Sequence, residues 1–160
     1  MWVAKRSATK PTFPGMLDNV VAGGIVYGDS VLATVIKECD EEASIPRSVA
    51  QTAVPVGAVS YTIETVNGIQ PETQFVYDLL LPADYPLQPN DGEVESFTLM
   101  TMDQVKAQML AGNFKPNCAL VALDFLVRHA ELSLDTESRY LDLLACMHRA
   151  LPFPSPTSLP

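Results

Sequence analysis

Three glutamates at helical spacing are the residues most able to do chemistry in this chain. They lie in the run Lys37-Glu38-Cys39-Asp40-Glu41-Glu42. A helix over Ser30 to Ser44 turns by about 100° per residue, so with Glu38 at ~0°, Glu41 falls near ~300° and Glu42 near ~40°. Asp40 points away, while Leu32, Val35, Ile36 and Cys39 gather into an adjoining apolar stripe. The helix therefore has a core face and a separate acidic face. Like charges three or four residues apart cost about 0.2–0.5 kcal/mol per pair, and a divalent cation would remove that repulsion. Mg²⁺ or Mn²⁺ suits such a site, since hard cations prefer carboxylate oxygens and keep waters and phosphates as their other ligands. Taken alone, the run also reads as the solvated acidic end of a helix.

The residues upstream decide between these readings. Gly23-Gly24-Ile25-Val26-Tyr27-Gly28-Asp29 precedes the helix, and Ser44-Ile45 closes it. The whole stretch resembles the Nudix box. Gly23 stands at its opening glycine, Asp29 at its first glutamate and Lys37 at its arginine. Glu38, Glu41 and Glu42 keep the three metal-binding positions, and Ser44 replaces the closing glycine. Lys cannot reproduce the bidentate fork of Arg, so a looser brace at Lys37 is expected. Ser44 suggests a helix end without the usual left-handed glycine cap.

Further segments are similar to one branch of that family. They are Trp2 to Ser7, Lys10, Pro14 to Asn19, Asn90 to Phe97 and Gly112 to Asn117. The branch contains the Nudix part of fungal and plant proteins related to thiamine pyrophosphokinase. The resemblance implies an α/β fold with a mixed sheet sandwiched between helices. It implies hydrolysis of a small organic diphosphate to a monophosphate and phosphate. Thiamine diphosphate and its oxo and oxy damage analogues are the expected substrates. It also implies a metal site of Glu38, Glu41 and Glu42, and leaves a homodimer open. Relatives in the branch carry a region ahead of this point, so an N-terminal region is expected to be absent here.

Diphosphate hydrolysis needs neutralised phosphoryl oxygens and a positioned water. Glu41 and Glu93 are the candidates for the base, and Glu93 reads equally as a solvated loop acid after Asp91-Gly92. Arg6 and Lys10 are candidates for binding phosphate, Arg6 through its bidentate fork. The alternative for that strand is an exposed edge protected by charge. Gly23 and Gly24 let backbone approach the diphosphate, although tight helix packing also demands small residues. Asp29 reads as a helix-start acid, and His129 and His148 as structural or solvated.

Composition bounds the rest. The chain has 160 residues, enough for one domain with a real core, and a formal charge of −9. That charge argues against non-specific nucleic-acid binding. It also opposes a diphosphate substrate unless metal and local cations reverse the field. Neither a membrane helix nor a signal peptide is expected, which suits a cytoplasmic location. Cys39, Cys118 and Cys146 have no metal-ligand spacing and read as small buried residues of a reducing compartment.

The elements that must hold the acidic helix follow from periodicity. Strands are expected over Trp2–Arg6, Leu17–Ala22 and Val94–Met100. A hairpin is expected from Val54–Val66 to Ile69–Leu81 around Asn67-Gly68. Helices are expected over Asp103–Ala111, Asn117–Ala130 and Thr136–Ala150. Residues 1–151 make the domain, and 152–160 read as a disordered proline-rich tail. Tyr61, Phe75, Tyr77, Tyr85 and Phe97 are open to either a substrate pocket or the core. A non-catalytic or truncated binding module is the main alternative function. A nucleotide-sugar or ADP-ribose pyrophosphatase is more remote. So is an isopentenyl diphosphate isomerase, which needs a cysteine and ligands at places this chain does not supply.

Overall fold

The computed structural model describes residues 1–66 and 68–150. The proline-rich tail and Asn67 of the hairpin turn lie outside the described residues. The expected α/β class holds. The elements run β1 (Trp2–Arg6), β2 (Leu17–Asp18), α1 (Val31–Ala43), α2 (Arg47–Ala50), β3 (Val54–Thr65), β4 (Gly68–Asp78), β5 (Val94–Leu99), α3 (Met102–Leu110), α4 (Pro116–Arg128) and α5 (Tyr140–Met147).

The strands form two antiparallel ladders, β2-β1-β5 and the β3-β4 hairpin. Among the described residues, parallel pairing is confined to single bridges, Leu17 to Phe114 and Ser60 to His148. Strand β1 is central in its sheet, which corrects the reading of an exposed edge. Alternation along it sends Val3 and Ala4 to opposite faces. Val3 packs with Val105, Phe114, Cys118 and Ala122 of the α3–α4 side. Ala4 pairs with Phe97, and Phe97 packs against the cluster of Cys39, Ala43, Ile45 and Ala50. The sheet thus lies between α1–α2 and α3–α4.

Helix α1 is bounded by two serines. The Ser30 hydroxyl accepts the Ala33 N–H at 3.1 Å, satisfying one of the orphan donors of the first turn. Asp29 therefore stands just outside the helix and does not cap it. At the other end Ser44 takes a left-handed conformation, φ 53°, and the Ile45 N–H bonds to Cys39 O at 2.8 Å. The left-handed cap expected to be lost with glycine is kept by serine.

Two expected elements are much shorter. Strand β2 ends at Asp18 because the Asp18 carboxylate captures the Asn19 N–H at 2.8 Å and the chain leaves the ladder. Helix α5 starts at Tyr140 because Thr136 and Glu137 turn back onto Ser133. Cys39 and Cys118 are buried as expected, but Cys146 is exposed.

Candidate active site

The acidic face of α1 divides into three environments. Glu42 is buried, Glu38 is nearly so, and Glu41 is half open to solvent. Lys37 reaches Glu41 at 3.2 Å and Glu38 at 3.7 Å. It thereby relieves the repulsion along the helix, as an exposed pair of modest worth. Among the described residues no such cation pairs with Glu42, and its only hydrogen-bond donor is the Ala22 N–H, at 3.1 Å.

Glu42 belongs instead to a cluster assembled across the chain. One carboxylate oxygen each from Glu42, Asp91 and Glu93 lies within 4.8 Å of the others. Burial is the main force on Glu42. The Ala22 hydrogen bond opposes it, while Glu38, Glu93 and Asp91 add to it, and the carboxyl is pushed up to about 7. A buried acid among acids is what a hard divalent cation relieves. The donors fit such an ion: all oxygen, all anionic and mutually close. Glu38 and Glu41 fall outside this close set of three, whereas Asp91 was missed in the sequence. Its signal was the Asp-Gly turn before Glu93, where the Asp91 carboxylate accepts the Glu93 N–H at 2.8 Å.

A cavity of about 220 Å³ adjoins the cluster. Glu42, Glu93, Asn19 and Ala22 line it, together with the cations Arg6, Lys10 and Lys115. The cations differ in what holds them. Arg6 is buried and its Nη1 donates to Asp18 at 2.6 Å. Its Nη2 reaches Thr12 O at 2.8 Å and its Nε reaches Phe13 O at 3.1 Å. Arg6 therefore ties the Lys10–Pro14 loop to the sheet, an arrangement the sequence did not suggest. Phe13 accepts a left-handed φ of 50° in that loop. Asp18 also accepts from the Cys118 thiol at 2.7 Å. Burial, then the charge and hydrogen bond of Asp18, push that thiol up, so it is an inert donor. Lys10 forms an ion pair with Glu93.

The two glycines have different surroundings. A Cβ built at Gly23 would overlap the carboxyl end of Glu38, whereas one at Gly24 would meet open space. Gly23 thus lets the loop pass directly over Glu38. None of Tyr61, Phe75, Tyr77, Tyr85 and Phe97 lines the cavity. Tyr85 and Phe97 pack into the core beside α1. Tyr61 donates to Glu72. His129 stacks on Phe125 with centroids 4.0 Å apart, and His148 lies 3.1 Å from Leu144 O.

Comparison with known proteins found relatives of this chain. A family model described as the NUDIX domain matches residues 1–118. An uncharacterized protein of Saccharomyces cerevisiae is 44% identical over 166 residues, covering 96% of this chain and 48% of that protein. Nudix hydrolase 20, chloroplastic, of Arabidopsis thaliana is 46% identical over 144 residues, covering 89% of this chain and 38% of its own length. The chain spans half or less of the length of these relatives. The crystal structure of DR0079 from Deinococcus radiodurans shares the fold, with TM-score 0.58 and 20% identity over 77% of this chain and 72% of that one. Among the described residues, no helix is long and apolar enough to cross a membrane.

Proposed function

The chain belongs to the Nudix family, and from that premise we propose that it hydrolyses the phosphoric anhydride bond of a small organic diphosphate. A hydrolase of that bond type is what the family match and the names of the relatives support. The observation that carries the reading to this site is the buried Glu42 beside Asp91 and Glu93, at the wall of a cavity lined by cations.

Glu38, Glu41 and Glu42 are proposed as holders of Mg²⁺ or Mn²⁺, with Asp91 and Glu93 close to Glu42. When bound, the ion supplies charge neutralisation to phosphoryl oxygens and acidifies water. The protein supplies the rest. Glu93 and Glu41 are the groups proposed to accept the water's proton, and Glu93 already lies at the cavity wall. Lys10 is proposed to hold a phosphate from the loop that Arg6 anchors. Arg6 turns part of its fork to Asp18 and the loop carbonyls, so its contribution to substrate comes chiefly through placing Lys10. Gly23 and Gly24 keep the loop over Glu38 free of side chains.

Thiamine diphosphate and its oxo and oxy analogues remain the proposed substrates, on the sequence resemblance alone. The deciding experiment is Mg²⁺-dependent phosphate release from these compounds, ADP-ribose and a nucleoside triphosphate. Release from the thiamine compounds alone, abolished by chelation, is expected. Release only from a nucleotide would keep the reaction and replace the substrate. A folded chain that releases phosphate from none would favour a binding module.

A further inference from the structure

We propose that Lys115 grips the anionic diphosphate end of the substrate, an assignment that rests on the diphosphate reading of the same cavity. Three cations line that cavity, and two are already answered. Arg6 is held by Asp18 and Lys10 by Glu93. Among the described residues Lys115 has neither an ion pair nor a side-chain hydrogen bond. Arg47 and Arg149 are also without an ion pair, but they are exposed, whereas Lys115 is half-buried. A half-buried ammonium that shares its cavity with acids but pairs directly with none of them has donors left for an anionic ligand.

Its position is fixed by backbone, independently of its side chain. The Lys115 N–H donates to Leu17 O at 2.9 Å, and the Leu17 N–H donates to Asn113 O at 2.9 Å. Phe114 between them is buried in the core. Pro116 then forces Lys115 into an extended conformation, φ −52° and ψ 132°. The segment is thereby stapled to β2, whose Asp18 and the following Asn19 line the same cavity. The stem therefore starts from a fixed point, and only the side-chain torsions remain to be ordered when a ligand is gripped.

The class of ligand follows from the neighbours. The cavity joins hard-cation donors, Glu42 and Glu93, to an unanswered ammonium. A diphosphate presents oxygens to both kinds of partner at once, and an ammonium with three donors suits phosphoryl oxygens as a point charge.

The test is calorimetric titration of methylenediphosphonate, a non-hydrolysable diphosphate, in the presence of Mg²⁺. Lys115→Met is expected to weaken binding by about 10- to 100-fold, the loss of one charge-assisted hydrogen bond. Lys115→Arg should retain binding within a few-fold. Mn²⁺ affinity without phosphonate, read by electron paramagnetic resonance, should stay near wild type in both, which also certifies the fold. Lys115→Gln provides a second neutral variant should the Met variant fold poorly. Unchanged phosphonate affinity in the neutral variants would overturn the proposal, as would a wild-type chain that does not bind the phosphonate. Lys115-dependent binding without hydrolysis of any diphosphate would leave Lys115 as an anion site and remove the hydrolase reading. Hydrolysis whose KM ignores Lys115 would do the reverse.

Discussion

Glu42 and Asp124 are buried alike, 8% and 5% exposed, and the molecule answers them in opposite ways. Around Asp124 the charges close on one another. Arg128 donates to Asp124 at 2.7 Å and takes Asp78 bidentately at 2.6 and 2.9 Å. His129 flanks Asp78 at 3.4 Å, and the Arg128 guanidinium lies 5.7 Å from the Phe125 centroid. Around Glu42 the close neighbours are acids, the only donor among the described residues is one backbone N–H, and a cavity opens beside it. Buried charge that is internally paired serves the fold. Buried charge left facing its own sign is available for a ligand. The contrast separates function from structure more sharply than charge density does.

Substitution at each centre should split activity from stability. Glu42→Gln is expected to lower kcat by about 10²–10⁴-fold, typical of lost metal-site or acid–base function. Its melting midpoint in chelator should match or exceed wild type, because a poorly solvated charge is removed. Phosphate release and thermal melts decide this, and near-wild-type turnover would sink the site. Arg128→Met should do the converse. It leaves Asp124 buried and unpaired, costing about 3 kcal/mol in urea unfolding while kcat stays within a few-fold.

The two centres should also respond to pH with opposite slopes. Glu42 takes up its proton near pH 7 in the fold and near 4.5 when unfolded. The folded chain holds more protons between those values, so its contribution is complete below 4.5. That contribution is lost as pH rises through 7, by up to roughly 3 kcal/mol. Burial pushes Asp78 up, but Arg128 and then His129 outweigh it and hold the carboxyl below its ordinary 3.8. Its contribution is present above that value and lost as pH falls below it. Urea unfolding against pH in chelator should show both slopes. Glu42→Gln should flatten the first and Asp78→Asn the second.

How much of this was readable in the sequence depends on range. The acidic face of α1 and its core stripe were legible because helical spacing is local, and so were β1 and the hairpin. The departure of the chain from β2 was not, since it hangs on one Asp18 side-chain bond and on Glu42 capturing Ala22. Asp91 and Lys115 were missed as site residues because loops distant in sequence build the cavity, and no period marks them. The internal bonds of Arg6 were hidden for a related reason. Sequence shows that a cation exists but not whether an inner partner such as Asp18 already holds it.

Smaller effects sharpen the comparison further. Gly23→Ala should push the Glu38 carboxylate aside and weaken Mn²⁺ binding several-fold, roughly 1 kcal/mol, with little change in melting. Unchanged Mn²⁺ affinity would detach Glu38 from the metal. Lys37→Met should leave the melting midpoint unmoved, since the ammonium is exposed and screened. A clear loss of stability there would mean that the outward acids matter to the fold more than their exposure implies.

The staple between Leu17 and residues 113–115 uses only main-chain groups. Its two hydrogen bonds survive any residue at position 115 except proline, which would remove the N–H that meets Leu17 O. Drift at that site is therefore cheap in folding terms, although the residue borders the cavity. Relatives of this chain have room there to exchange a cation for a neutral or acidic group and so change what they accept. The fold separates the mutational load of adapting the cavity from that of staying folded, which makes position 115 a place to look for divergence in preference.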